Sequence, residues 1–293
     1  MQDKQYDRAA QDIGNIVNLG HVNVCISDQH IATHYYVSGL GLTRDPFLNT
    51  GAGNMWINIG MSQFHLPMGT LEILRGVTGL VVPDRHALLD RLTRVRKALA
   101  GTKFDFRESN DCVETVCPWG NRIRLHAPDP ARFGRITLGM PYVECDVPRG
   151  TSLPAIARFY RDILGAIAGV AEDARGAHAW AVVGDGNRVL FRETDADLAP
   201  FDGHHIQVTL ADFSGPHRKL LERGLITEES DQHQYRFTDI VDVDTNQVLF
   251  TIEHEVRSMK HPLYARPLVN RNPAQTPRSY APEWDAWRWA LPG

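Results

Sequence analysis

The sequence predicts an α+β fold built from four copies of one βαβββ module. A short strand with alternating apolar residues, then an aspartate and an amphipathic helix, occurs four times along the chain, less exactly in the third copy. A glycine follows each helix, and further strand-like segments come after it, separated by turn residues such as Gly-Asp-Gly-Asn. The order of one strand, one helix and three strands therefore repeats, although the first of the three later strands is faint in every copy.

The elements can be placed on the sequence in order. The opening strands share a length of eight or nine residues and are expected at 20–28, 76–84, 141–148 and 204–212. The helices should follow near 29–39, 85–99, 152–164 and 214–223. The clearer later strands are expected at 55–59, 63–66, 112–117, 122–126, 179–183, 188–192, 235–241 and 247–255.

This pattern divides the chain into four parts. Residues 1–16 form an N-terminal extension with a short helix, 17–130 hold modules one and two, and 136–258 hold modules three and four. Residues 259–293 are rich in Pro, Arg and Trp, and we expect an extended tail that wraps over the modules.

Composition argues against several classes of function. The hydrophobic share of 43% supports a sizeable core, and the net charge of −4 comes from interspersed acids and bases, so no nucleic-acid partner is expected. No apolar run approaches the length of a membrane span. The spacing of the four cysteines fits neither a zinc finger nor a disulfide framework, which favours a reducing, cytoplasmic location. We expect a monomer or homodimer that binds a small-molecule substrate.

Histidines occupy inward-facing positions of two opening strands. Val22, Val24 and Ile26 form the apolar face of the first strand, which should pack under its helix. His21 then lies on the opposite face, toward the cavity. The same alternation places His205 inward in the fourth module, and each of these histidines lies seven residues before an aspartate.

The last strands of the same two modules carry further candidate ligands. His65 faces the cavity in the first module, and Glu253 does so in the fourth, with Glu255 nearer the end of the strand. The predicted metal ligands are therefore His21, His65, His205 and Glu253. Residues expected to support them are Asn23, Gln207, His204 and Glu255. Imidazole with carboxylate suits a divalent ion, Fe(II) or Mn(II) by preference, with Zn(II) or Ni(II) also possible.

Several segments together resemble the vicinal oxygen chelate superfamily, which includes glyoxalase I, extradiol dioxygenases and fosfomycin-resistance proteins. They are Leu-Gly-His-Val at 19–22, Ser-Asp at 27–28, Pro-Trp-Gly-Asn-Arg-Ile-Arg-Leu at 118–125, Arg-Phe-Tyr-Arg-Asp-Ile-Leu-Gly at 158–165 and Gly-His-His-Ile at 203–206. The resemblance implies modules paired into two half-open barrels, with one site between the first and fourth modules and another between the second and third. It also implies a metal that accepts two vicinal oxygens of a catechol-, quinol- or 2-oxo-like substrate.

The predicted ligand set differs from those of glyoxalase I and of the extradiol dioxygenases. His65 stands where the glyoxalase I pattern has a glutamate, and module three lacks the histidine that an extradiol dioxygenase has there. A dioxygenase-type oxidation is favoured, with a glyoxalase-like lyase or isomerase, or a non-catalytic small-molecule-binding resistance protein, as alternatives. The second pair of modules offers no ligand set, and its candidate pocket residues are Arg124, Arg192, Tyr142 and Glu193.

Overall fold

The computed structural model describes residues 6–48, 51, 53–272 and 278. The first module contains β1 (Ile16–Asn23), α1 (Gln29–Ala32), β2 (Thr43–Arg44), β3 (Asn54–Ile59) and β4 (Ser62–Pro67). The second contains β5 (Gly76–Val81), α2 (Arg85–Val95), β6 (Asp105–Glu108), β7 (Val113–Val116) and β8 (Arg122–His126). A short helix, α3 (Pro130–Phe133), connects it to the third module.

The second half of the chain repeats this order. The third module contains β9 (Gly139–Pro148), α4 (Leu153–Asp162), β10 (Ala168–Asp173), β11 (Gly176–Gly184) and β12 (Asn187–Thr194). The fourth contains β13 (His205–Leu210), α5 (Ser214–Glu222), β14 (Ile226–Asp231), β15 (Gln234–Val241) and β16 (Val248–Ser258). The faint strand of each module is thus β2, β6, β10 or β14.

A capping side chain a few residues after the opening strand starts the helix in three of the four modules, whereas α5 has no side-chain cap. The Asp28 carboxylate accepts hydrogen bonds from the backbone N–H groups of His30 and Ile31, which caps α1. Asp84 caps α2 in the same way, whereas Ser152 provides the cap of α4 in the third module. These caps satisfy backbone donors that a helix start leaves free, which explains why the repeat is legible in the sequence.

The strands form two mixed sheets of eight strands each. The order of the first sheet is β14-β15-β16-β13-β1-β4-β3-β2, which joins the fourth module to the first. The order of the second is β10-β11-β12-β9-β5-β8-β7-β6, which joins the third to the second. In neither sheet do the two outermost described strands pair with each other, so both stay open. The predicted α+β fold of paired modules in half-open barrels is confirmed.

Three local features differ from the expected elements. β1 begins at Ile16 and accommodates a bulge at Gly20, where Leu19 pairs with Val208 and His21 pairs with Gln207. After α1 the helix continues as a π-helix over Thr33–Gly39. The N-terminal extension contributes a 3-10 turn at Ala9–Gln11, a shorter element than the helix expected there.

Two further observations concern the ends and the surface of the chain. The wrapping tail can be followed through residue 272, whereas most of 273–293 lies outside the described residues. Among the helices described, none is long and apolar enough to span a membrane.

Candidate metal centre

Four neighbouring strands of the first sheet, β4, β1, β13 and β16, present two rows of polar side chains on one face. The register aligns the first row as His65, Asn23, His205 and Glu253. The second row is Gln63, His21, Gln207 and Glu255. Side chains paired across strands share a face of the sheet, so all four predicted ligands lie on one face of the first sheet. Antiparallel pairing of β1 with β13 brings the first and fourth modules together at its centre.

Three imidazoles converge within this arrangement. One ring nitrogen from each of His21, His65 and His205 lies within 4.8 Å of the other two. His21 Nε2, His205 Nε2 and both ring nitrogens of His65 are buried and have no hydrogen-bond partner among the described residues. Buried polar atoms are normally satisfied, so several unsatisfied nitrogens at one point are the pattern expected where a metal ion binds.

The symmetry of the two modules identifies the fourth member of the site. The two-fold symmetry of the antiparallel pair β1–β13 makes His21 and His205 equivalent positions. The same symmetry makes β4 equivalent to β16, and a residue in one row on β4 corresponds to a residue in the other row on β16. Under this relation His65 corresponds to Glu255, whereas Glu253 corresponds to Gln63. The distances agree, since Glu255 Oε2 lies 3.6 Å from His205 Nε2 and Glu255 Oε1 lies 4.0 Å from His21 Nε2.

Glu253 contacts the opposite side of the His205 ring. Its Oε1 lies 3.1 Å from His205 Nδ1, so the carboxylate can accept the Nδ1 proton and leave Nε2 as a lone pair facing the cluster. This places Glu253 as the group that orients His205. The role of metal ligand, predicted for Glu253, is geometrically better suited to Glu255.

Two arginines neutralise these carboxylates. Arg236 forms ion pairs with both Glu253 and Glu255. Arg257 Nε lies 2.7 Å from Glu255 Oε1 and donates a hydrogen bond to Gln234 Oε1 at 3.0 Å. Glu255 Oε1 is itself buried without a hydrogen bond among the described residues, which leaves a lone pair toward the histidines.

Burial favours the neutral form of two of these imidazoles, His21 and His65. Burial, followed by the positive charge of Arg257, lowers the pKa of His21 well below its ordinary value. Burial lowers the pKa of His65 to about 3. Burial opposes ionisation of Glu253, but its contacts with His205 and Arg236 outweigh that effect and lower the pKa of its carboxyl. Neutral imidazoles beside an ionised carboxylate are the protonation states that a divalent metal requires.

Trp56 on β3 fixes two of the rings. Its indole stacks on His65, with centroids 3.9 Å apart and planes at 10°, and meets His21 edge-on at 5.0 Å. Trp56 was absent from the predicted site, as were Arg236 and Arg257. Trp56 pairs across strands with His65, and Arg236 pairs with Glu255, so cross-strand pairing was needed to identify these two. Arg257 lies on β16 itself, two residues after Glu255, so alternation along that strand places it on the same face.

The predicted supporting residues have distinct surroundings. Asn23 donates to Glu72 Oε2 at 3.0 Å, which ties β1 to the linker before β5. The Gln207 amide donates to Thr209 Oγ1 at 3.1 Å. His204 is buried just before β13, and its Nδ1 lies 2.6 Å from Asp202 Oδ1.

A cavity of about 320 Å³ opens beside His21. Its polar walls include Gln63, Gln207, Thr209 and Arg257. Residues 263–268 of the tail, which we call the strap, form another wall. The strap is anchored by an ion pair between Arg266 and the buried carboxylate of Asp45.

The second sheet has a salt network at the matching place. Gly79 pairs across strands with both Arg124 and Tyr142. Asn23 holds the corresponding position in the first sheet, where it pairs with His65 and His205. Arg124 and Arg192 pair with the buried Glu144. Glu193, by contrast, accepts a hydrogen bond from the backbone of Gly150. Arg124, Arg192 and Glu144 thus form a network of charges, and no cluster of imidazoles occurs there among the described residues.

Another group of potential ligands lies at the end of β8. Asp111, Cys112 and His126 have ligand atoms within 4.8 Å of one another. Arg132 holds Asp111 in a two-pronged ion pair, however, and the Tyr142 hydroxyl lies 2.9 Å from His126 Nε2. Burial lowers the pKa of His126 to about 4.

Comparison with known proteins bears out the fold. A "putative dioxygenase" from Bacillus subtilis is 14% identical, with a TM-score of 0.55 over 84% of this chain and 86% of that one. Glyoxalase I from Zea mays is 12% identical, with a TM-score of 0.55 over 86% and 95%. A glyoxalase I mutant from Zea mays is 13% identical, with a TM-score of 0.57 over 82% and 92%.

No protein-family model matches the sequence, and neither does any curated protein. The likeness therefore shows the fold alone, and it is the fold that the resemblance implied.

Proposed function

We propose that this protein is a metal-dependent enzyme in which His21, His65, His205 and Glu255 hold one divalent ion. The observation that carries the proposal is the convergence of three imidazoles: one ring nitrogen of each lies within 4.8 Å of the other two, and each ring has a buried nitrogen without a hydrogen-bond partner among the described residues. Three nitrogen ligands and one carboxylate suit Fe(II), Mn(II), Ni(II) or Zn(II). Such an ion would act as a Lewis acid toward two vicinal oxygens of a small substrate.

The residues around the ligands favour oxidation over isomerisation. A lyase or isomerase of this fold needs a carboxylate free to take a proton from carbon. Glu253 and Glu255 both pair with Arg236, and Glu255 also pairs with Arg257. Carboxylates held by guanidinium groups are weak bases, since those contacts stabilise the ionised form. A dioxygenase-type reaction on a catechol-, quinol- or 2-oxo-like compound is therefore our first choice.

The protein's own side chains would orient and enclose the substrate. His21 and Arg257 form the inner end of the cavity, Gln207 and Thr209 offer polar contacts, and the strap at 263–268 limits access of water. Glu253 would hold His205 in the tautomer that directs Nε2 inward.

Oxygen consumption tests this proposal. The protein is reconstituted anaerobically with Fe(II) and mixed with catechols, hydroxyquinones and 2-oxo compounds. We expect O₂ uptake with at least one class and none with a variant lacking His65. Uptake of metal without oxygen consumption, but with isomerisation of a 2-oxo compound, would favour the lyase alternative; tight substrate binding without turnover would favour a binding protein.

We further propose a cytoplasmic, monomeric or homodimeric protein. The cysteines are free thiols, as expected in a reducing compartment; they are Cys25, Cys112, Cys117 and Cys145.

A further inference from the structure

The cavity beside the histidines contains a guanidinium group with unused donors. Arg257 lies on the cavity wall and is nearly buried, with 13% of its side chain exposed. Its contacts with Glu255 and Gln234 both use Nε. Neither terminal nitrogen has a hydrogen-bond partner among the described residues. The two-pronged edge of a guanidinium group is therefore available inside the cavity.

Arg257 is directly adjacent to the proposed ligands. Glu255 Oε1 lies 2.7 Å from Arg257 Nε and 4.0 Å from His21 Nε2, so one oxygen atom separates the guanidinium from the imidazole. A molecule bound by the terminal nitrogens of Arg257 thus has its remaining atoms near the histidine cluster.

The charge balance of the centre favours an anionic ligand. Glu253 and Glu255 form ion pairs with Arg236 and Arg257, and the exposed Glu228 contacts Arg236 as well. The two carboxylates next to the histidines are thus already paired with guanidinium groups, so a divalent ion bound there would add positive charge beside Arg257.

We propose that the cavity is an acid-binding site, in which the terminal nitrogens of Arg257 receive the carboxylate of a small organic acid whose vicinal oxygens reach the histidine cluster. A carboxylate fits a guanidinium group through two parallel hydrogen bonds. The inference deepens the proposed function, on which it rests, by making Arg257 a determinant of specificity.

The test uses two ligands that differ in one charge. The full-length protein is loaded with redox-inert Zn(II), and 3,4-dihydroxybenzoate and 3,4-dihydroxybenzamide are titrated separately by calorimetry. Both carry the same vicinal hydroxyls and an electron-withdrawing substituent. We expect the acid to bind about tenfold or more tightly than the amide. Equal affinities would overturn the proposal.

Substitutions test whether Arg257 causes the preference for the acid over the amide. In Arg257→Met the preference for the acid should fall to within about twofold, and in Arg257→Lys it should be intermediate, since lysine keeps the charge but loses the two-pronged geometry. Arg192→Met is the matched control, because it removes a similarly buried guanidinium from a last strand of the other sheet, and it should keep the preference. A preference that persists in Arg257→Met would refute the assignment.

Metal content separates the two hypotheses. If Zn(II) binds but acid and amide are not distinguished, the acid site is wrong and the metal centre stands. If no Zn(II) binds, the metal-dependent function fails, and the same titrations on the metal-free protein still show whether Arg257 selects the acid. The comparison on the unmodified chain remains valid even if a variant does not fold.

Discussion

Replacing each glutamate of β16 by glutamine distinguishes a ligand from an orienting group. Glu255 lies 3.6 and 4.0 Å from two unpartnered Nε2 atoms, whereas Glu253 contacts only Nδ1 of His205. A unit charge about 4 Å from another contributes up to ~4 kcal/mol at an effective dielectric constant near 20. We therefore expect Glu255→Gln to weaken Zn(II) binding by roughly a thousandfold.

Glu253→Gln should have a smaller effect. Loss of a carboxylate that orients a histidine ligand typically weakens metal binding by about 10–100-fold. Competition with a fluorescent Zn(II) chelator measures both variants, and urea unfolding of the metal-free proteins shows whether either is destabilised. The two substitutions are matched in chemistry and strand, so each is the control of the other. A larger loss for Glu253→Gln would refute the symmetry argument.

Three further predictions concern the strap, acid stability and the bulge. Asp45→Asn should release Arg266 and increase amide hydrogen exchange over 263–272 at least several-fold, with little change in the sheets. The folded pKa of His126 is about 4, below the usual value of about 6.5, so the unfolded chain takes up a proton first as pH falls. As pH falls from 6.5 to 4, that difference lowers the free energy of unfolding by up to ~1.4 kcal/mol per pH unit. In His126→Gln the free energy of unfolding, measured with urea, should therefore depend less steeply on pH. Gly20→Ala places a Cβ 1.7 Å from Gln207 Oε1 and should lower the free energy of unfolding by about 1 kcal/mol. Adding Gln207→Ala removes the crowding and should restore that stability.

Each of these expectations has an opposing outcome. Unchanged exchange in Asp45→Asn would mean that the ion pair does not hold the strap. An identical acid slope in His126→Gln would assign the pH dependence to other groups. Additive effects of the Gly20 and Gln207 substitutions would show that the two side chains do not compete for space.

The module order and the phase of the strands were predictable because both depend on local chemistry. The helix caps Asp28 and Asp84 mark where opening strands give way to helices, and alternation along β1 and β13 places His21 and His205 on the cavity face. These signals involve residues near one another in sequence. The module repeat can therefore be recognised in the sequence even though no curated protein matches it.

The choice between Glu253 and Glu255 was not accessible in the same way. They are two residues apart on one strand, so they share a face, and alternation cannot separate them. Only the register of β13 with β16, which pairs Gln207 with Glu255, shows which one mirrors His65. Trp56 also depends on register, because it is placed by its cross-strand neighbour.

The metal content of the purified protein tests the central claim most directly. The metal-free chain is incubated with excess Zn(II), freed of unbound ion by gel filtration, and analysed by mass spectrometry for metal. One Zn(II) per chain is expected for the wild type, and none above background is expected for His21→Ala/His65→Ala/His205→Ala. A wild-type chain that retains no metal, or a triple variant that retains as much as the wild type, would contradict the account.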